Sequence, residues 1–335
     1  MPTARAYAID SPTGAFHPTT IERREPGPDE VLFDIKFAGI CHSDIHTARS
    51  EWGPAHYPLV PGHEIAGIVR QVGDQVTKFK PGDRVGVGCF IDSCGGCAFC
   101  EGGQEMFCEG PGGATWTYDS IDRYGKPTDG GYSTCITVRE RYLMRIPDAL
   151  PLDAAAPLMC AGITTYSPLK RWGAGPGKRV AVLGMGGLGH VGVQLAAAMG
   201  AEVSVISRTR SKEADGMKFG ASHYYASSEP GTLEHLRGKF DLILTTIAAS
   251  VDQTPYVECL APGGALVDVG MPEHRSEVDM RTLCAGNRIL AGSNIGGIAE
   301  TQEMLDFCAA HGVQAVIEKI TGEDITEAYN LVVAS

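Results

Sequence analysis

The sequence has no apolar run approaching the ~18 residues needed to cross a bilayer, which excludes a helical membrane span. It has no internal repeat, no low-complexity tract and no long block of like charge, which excludes repeat arrays and charged tails. Positive charge is scarce: 28 Lys and Arg stand against 40 Asp and Glu, a net charge of −12. That balance disfavours binding to nucleic acid or an anionic membrane, and neither is expected as a partner. The opening residues, MPTARAYAIDSPTG, lack the apolar block of a secretory signal, so a cytoplasmic location is expected.

What is present points to a globular chain. Its 335 residues, 43% hydrophobic and 20% charged, are enough for a packed core in two or three domains. The unusual number is 11 cysteines. Secreted disulfide scaffolds are normally small, with an even count, so thiols in a large chain with an odd count turn attention to metal or chemistry.

Residues 1–150 read as β-rich. Val31–Phe37, Ile65–Val72 and Tyr132–Val138 are short apolar or alternating runs separated by Gly/Pro/Asp turns. From Val180 onward, strands at Val180–Leu183, Val203–Ile206, Phe240–Leu244, Ala265–Val269 and Ile289–Ala291 alternate with helical stretches such as His190–Met199. That alternation predicts a doubly wound parallel sheet. Glu300–Ala310 and Asp324–Val333 read as two closing helices.

The densest motif is Cys94, Cys97, Cys100 and Cys108, spaced C-x2-C-x2-C-x7-C on a glycine-rich loop. Four thiolates suit one tetrahedral zinc with no open position, hence a structural site. An iron–sulfur cluster and four unrelated buried thiols are the alternatives. A second set is dispersed: Cys41, His63 and Cys160 offer two thiolates and an imidazole, the composition of a zinc site with an open position. Three packed core residues are the alternative.

Val180–Leu183 runs into Gly184-Met-Gly186-Gly187-Leu188-Gly189 and an Ala-rich helix. In this setting G-x-G-x-x-G reads as a dinucleotide turn: Gly184 for the turn, Gly186 for close approach to a pyrophosphate, Gly189 for helix packing. A glycine-rich turn without a cofactor is the alternative. No acid occurs from 203 to 212, where an NAD site usually carries one. Ser207, Arg208 and Lys212 could hold a 2′-phosphate instead, and Arg210 adds to the basic cluster. A solvated basic loop is the alternative.

Over nearly its whole length the chain resembles the zinc-containing medium-chain alcohol dehydrogenases, in their cinnamyl-alcohol-dehydrogenase-like, NADP-dependent branch. The stretches GICHSDIHTARSEWGPAHYPLVPGHEIAG, DSCGGCAFCEGGQEMFC, PLMCAGITTYSPLKRWG, VLGMGGLGHVGVQLA and LAGSNIGGIAETQEMLDFC carry the resemblance. It implies an α/β chain with a GroES-like, β-rich catalytic domain (1–156 and 297–335) and a Rossmann domain (157–296). It implies two Zn²⁺ per chain, NADP(H) and a homodimer or tetramer. Residue by residue, it makes Cys41, His63 and Cys160 the catalytic zinc ligands. Glu64 becomes a neighbouring group, Asp44 the orienter of His63, and Ser43 and His46 a proton relay. Cys94, Cys97, Cys100 and Cys108 become the structural zinc ligands. His42 falls near the pyrophosphate and Thr164 near the nicotinamide. Thr246, Ile247, Gly270, Met271, Asn294 and Ile295 fall at further cofactor positions. Chains of this family continue past the last helix with a closing strand, so the stop at Ser335 suggests a truncated or incomplete end.

The expected reaction is reversible hydride transfer between NADP(H) and aromatic or medium-chain primary alcohols or aldehydes. Trp52, Cys89, Trp116, Met271 and Ile295, with Met159, are candidate pocket walls, core packing being the alternative. Cys135, Cys259, Cys284 and Cys308 have no ligand spacing and read as buried core thiols. The rivals are an NAD-linked polyol or secondary-alcohol dehydrogenase of the same fold, and a catalytically silent zinc- or nicotinamide-binding protein. A zinc-ribbon nucleic-acid module is more remote.

Overall fold

A computed structural model describes residues 1–272 and 274–334 of the chain. The expectation attached to Ser335 lies outside the described residues. The chain folds as two compact units, Met1–Cys160 with Gly296–Ser335, and Ala161–Ile295. The borders expected from the sequence fall at 156/157 and 296/297.

In the first unit the strands are β1 (Thr3–Ala8), β2 (His17–Glu22), β3 (Glu30–Ala38), β4 (Ile65–Val72), β5 (Arg84–Val87), β6 (Phe90–Asp92), β7 (Thr115–Trp116), β8 (Cys135–Arg139) and β9 (Met144–Arg145). β8-β3-β4-β5-β9 form an antiparallel sheet, and β1-β2 and β6-β7 form two ribbons. In β1 the buried residues are Ala4, Ala6 and Ala8, the two-residue period of a half-buried strand. The expected strand Tyr132–Val138 begins only at Cys135. The buried Arg23 guanidinium claims the carbonyls of Asp129, Gly130 and Cys135 and Ser133 Oγ. Tyr132–Thr134 face β1 instead: the Tyr7 N–H donates to the Tyr132 carbonyl, the Thr134 N–H donates to the Arg5 carbonyl, and Ser133 bridges Ala6.

Two helices close this unit. Ile298–His311 buries Thr301, Met304, Leu305 and Cys308, the spacing of one helix face, and stops at Gly312 with φ +69°. Ile325–Ala334 buries Ile325 and Tyr329. It is preceded by a capping pair in which Asp324 accepts the Thr321 N–H at 3.1 Å.

The second unit is built on β10 (Arg179–Leu183), β11 (Glu202–Ser207), β12 (His223–Ala226), β13 (Phe240–Thr245), β14 (Leu260–Asp268) and β15 (Ile289–Gly292). All pair in parallel, in the order β12-β11-β10-β13-β14-β15. Numbered from β10, that is 3-2-1-4-5-6, the Rossmann arrangement. Val180, Ala181, Val182, Val203, Val205 and Ile206 are completely buried, as strands covered on both faces require. Cys284 departs from expectation. It is exposed, on the short helix Met280–Ala285, which buries none of its residues. Cys135, Cys259 and Cys308 are buried as expected. Among the described residues no helix is long and apolar enough to cross a membrane.

Candidate active site and metal centres

Two groups of metal-ligating side chains form among the described residues, each with its ligand atoms within 4.8 Å of one another. Both lie in the first unit.

The first is Cys94, Cys97, Cys100 and Cys108. Four sulfurs at ~2.3 Å from one tetrahedral ion lie about 3.8 Å apart. Cys94 Sγ and Cys100 Sγ stand at 3.9 Å. The Cys94 and Gly110 N–H groups both donate to Cys108 Sγ at 3.3 Å. Backbone hydrogen bonds around Cys100 and Glu109 pull Cys97 down to about 6. N–H groups aimed at sulfur favour the thiolate, the form a metal binds.

The second group is Cys41, His63, Glu64 and Cys160, all buried. Cys41 precedes the helix His42–Ala48, His63 and Glu64 lead into β4, and Cys160 follows the turn Pro157–Met159. The two sulfurs are 4.0 Å apart. Cys41 is raised well above the ordinary thiol range by its hydrogen bond to Cys160 and by burial. Cys160 is held down by Cys41 but pushed up by Cys89 and burial, to about 12. Burial pushes Glu64 up to about 8, against the pull of His63. Three acids crowded out of water resist ionising together, and a divalent cation removes that conflict. Distance and chemistry therefore both fit zinc.

Asp44 organises this set from behind. It is fully buried. Its Oδ1 accepts from His63 Nδ1 at 2.8 Å and the Gly62 N–H at 3.1 Å. Its Oδ2 accepts from the Cys41 N–H at 3.0 Å and the Tyr132 hydroxyl at 3.4 Å. Burial alone would keep His63 neutral, but Asp44 and Cys160 raise it well above its ordinary value. With Nδ1 bound to Asp44, Nε2 is the nitrogen left for a metal.

Ser43 Oγ lies 3.7 Å from Cys41 Sγ. His46, one helical turn on, bonds Glu51 through Nδ1 and stacks on Trp52 at 4.7 Å. His42 is exposed at the helix start. Cys89 is partly buried, and it raises the Cys160 thiol. Trp116 pairs with Phe90 on the β6-β7 ribbon and is exposed. Met159 is a core residue, not a pocket wall: it is buried against the backbone of Gly86.

Several supports of the centre come to light only in the fold. Gly39 leaves the space filled by Glu64, since a Cβ there would sit 2.0 Å from Oε2. Tyr118 lies beside His63, its ring tilted by 33° with centroids 6.0 Å apart. Glu51 lies three residues beyond the helix end at Ala48, and like Tyr118 and Tyr132 it answers to no helix spacing rule.

In the second unit, Gly184 has φ +97° and stands between the ends of β10 and β13, where a Cβ would meet Thr246 Oγ1 at 2.7 Å. Gly189 packs so closely that a Cβ would lie 2.2 Å from the Gly184 carbonyl oxygen. Gly186 and Gly187 face open space at the start of the helix Gly187–Ala198, which continues through Leu188. That leaves backbone accessible at a helix N-terminus, at the point where the strand order reverses. Thr246 closes the turn through hydrogen bonds to the Leu183 carbonyl, and Gly270 abuts the Ile247 carbonyl. Thr164 Oγ1 is buried without a partner among the described residues. Met271 and Asn294 are exposed, while Ile295 is buried.

The basic cluster divides. Arg210 is held by Glu229 at 2.6 Å and Glu213 at 3.0 Å, which removes it from the expected phosphate site. Arg208 and Lys212 are exposed and form no ion pair among the described residues, and Ser207 ends β11.

Residues 27–148 match the alcohol dehydrogenase GroES-like domain and residues 187–310 the zinc-binding dehydrogenase domain. The chain belongs to the zinc-containing medium-chain alcohol dehydrogenase family, in its cinnamyl-alcohol-dehydrogenase-like branch. It is 60% identical to NADP-dependent alcohol dehydrogenase C 1 of Mycolicibacterium smegmatis, over 100% of this chain and 96% of that protein. A cinnamyl alcohol dehydrogenase structure from Sorghum bicolor superposes with a TM-score of 0.95 at 38% identity, covering 99% of this chain and 95% of that one. The Helicobacter pylori enzyme complexed with NADP(H) gives 0.92 at 44% identity, covering 99% and 94%.

Proposed function

We propose that the protein is an NADP-dependent zinc alcohol dehydrogenase acting as an aldehyde reductase on aromatic or medium-chain primary alcohols and aldehydes. The observation that carries this is the buried Cys41, His63, Glu64 and Cys160 set, aligned by Asp44. When bound, zinc supplies a Lewis acid for the substrate oxygen and NADP(H) supplies or accepts the hydride.

The chain's own residues do the rest. Cys41, His63 and Cys160 hold the metal, and Glu64 is a spare carboxylate beside them. Asp44 locks the His63 ring, so the donor atom does not wander. Ser43 would accept the alcohol proton while passing its own hydroxyl proton onward, and His46, partly exposed on the same helix, would exchange a proton with solvent. Cys94, Cys97, Cys100 and Cys108 hold a second, structural zinc. The open backbone at Gly186 and Gly187 suits a pyrophosphate, and Ser207, Arg208 and Lys212 suit a 2′-phosphate.

The reading includes a cytoplasmic location, where the cysteines of both metal-ligating sets stay reduced. It includes a homo-oligomer, supported by the edge strand β15, where Ile289 and Leu290 are exposed. Two zinc per chain and faster reduction of benzaldehyde or cinnamaldehyde with NADPH than with NADH are expected. A clear NADH preference would refute the cofactor assignment. Two zinc, bound NADPH and no turnover on an aldehyde panel would refute the activity.

A further inference from the structure

Asp44 presents two oxygens to four donors. Three of these come from segments that carry the ligands themselves: the Cys41 N–H, the Gly62 N–H and the His63 ring. The fourth, the Tyr132 hydroxyl, comes from a segment 88 residues further along the chain. The Tyr132 oxygen in turn accepts from the Tyr329 hydroxyl at 3.2 Å, and Tyr329 belongs to the last helix. Because Tyr329 occupies an acceptor lone pair of Tyr132, the Tyr132 proton is left to point at Asp44.

The packing holds both rings in place. Phe16 meets Tyr132 and Tyr329 edge-on, with centroids at 5.9 and 4.9 Å. Tyr132, Tyr329 and Ile325 share one core cluster with Ile45 and Ala48 of the helix that carries Asp44. The Tyr132 backbone is tied to Pro61, two residues before His63. Arg49, after the site helix, donates to Asn330 Oδ1 at 3.1 Å. Hydroxyls enclosed in an apolar cluster have no water to turn to, so each bond they make to the next is directional.

We propose that Tyr132 and Tyr329 are positioning residues of the metal centre: a buried hydroxyl chain through which the C-terminal helix holds Asp44, and through Asp44 the His63 ligand. The inference rests on the reading that Cys41, His63 and Cys160 bind zinc.

The test uses the full-length zinc-loaded protein and the variants Tyr132→Phe, Tyr329→Phe and the double variant, which delete hydroxyls and keep the rings. The first readout is the rate at which each of the two zinc ions transfers to a chromogenic chelator. The second is the absorption spectrum of protein with cobalt in the Cys41–His63–Cys160 site. Release from that site is expected to quicken about tenfold in Tyr132→Phe, the lower end of what losing a ligand's supporting partner costs. A smaller change in the same direction is expected in Tyr329→Phe. Release from the four-thiolate lobe stays at the wild-type rate, and the cobalt bands shift. The double variant matches Tyr132→Phe alone, because a broken chain cannot be broken again. Wild-type release and spectra in both single variants would overturn the chain, as would strictly additive effects. A wild-type protein that binds zinc only in the lobe would overturn the underlying metal reading, and the chain with it.

Discussion

The four-thiolate lobe and the buried centre each gather four ligating groups within 4.8 Å, by different routes. In the lobe all four cysteines come from one stretch of 15 residues, and the surrounding loop supplies N–H donors to its sulfurs. In the centre Cys41 and Cys160 are 119 positions apart, and His63 arrives on a different segment. The lobe is assembled by a short loop closure, which costs little entropy. The centre exists only once β3, β4 and the helix His42–Ala48 have packed. A site made by the whole fold can be dry, and it can have its ligand held from behind by a buried carboxylate. These are the conditions under which a metal does chemistry and not only cross-linking.

The largest expected difference between the two regions is in turnover. Cys160→Ala removes a ligand from the centre and should cost about 4 kcal/mol of transition-state stabilisation, about a thousandfold in kcat/KM. Far-UV circular dichroism should stay native and one zinc per chain should remain. Full activity in a folded Cys160→Ala protein would erase the distinction between the sites.

Asp44→Asn tests the support behind the centre. It keeps the shape but replaces a carboxylate that accepts four hydrogen bonds. Metal affinity there should fall about 10- to 100-fold, measured by competition with a chelator, while the lobe keeps its zinc. Equal loss from both sites would show that Asp44 serves the fold and not the centre.

Cys97→Ser should reverse the ranking when stability is measured. Loss of a structural zinc ligand should lower the thermal midpoint by about 5–10 °C, more than Cys160→Ala does. A smaller shift than that of Cys160→Ala would mean the lobe is not the structural partner of the pair.

The smallest expected effects lie in the second unit, which shows the same contrast between spacing and surroundings. Arg208 and Arg210 stand two residues apart, but only Arg210 is neutralised by Glu213 and Glu229. Arg208→Ser should reduce the NADPH-over-NADH preference by about 30-fold, the value of one charge-assisted hydrogen bond. Arg210→Ala should change it by no more than about twofold. Equal effects would show that the basic loop acts only as diffuse charge.

Much of this molecule was legible along the chain wherever the relevant physics is local. The strand–glycine–helix run at Val180–Ala198 needs only a tight turn and a helix start. Continuous apolar strands marked the parallel sheet, and the helix expected at Glu300–Ala310 is found at Ile298–His311. Local reading failed where a distant group intervened. Pairing of Tyr132–Thr134 with the distant β1 moved the start of β8 to Cys135, and an unburied helix left Cys284 exposed. Met159 was placed at a pocket wall although the fold packs it against Gly86.

The sequence by itself determined the four-thiolate lobe, the dinucleotide turn and the alternation that makes a parallel sheet, because each depends on residues within about one turn or one loop of each other. Resemblance to a family named Cys41, His63 and Cys160, but no local rule joins them. Only the tertiary structure brought them within reach, set Asp44 behind His63, withdrew Arg210 from the basic cluster and carried Tyr329 to Tyr132. The physical reason is that side chains far apart in the chain meet only through the packing of everything between them, and burial, not spacing, decides which of them can act.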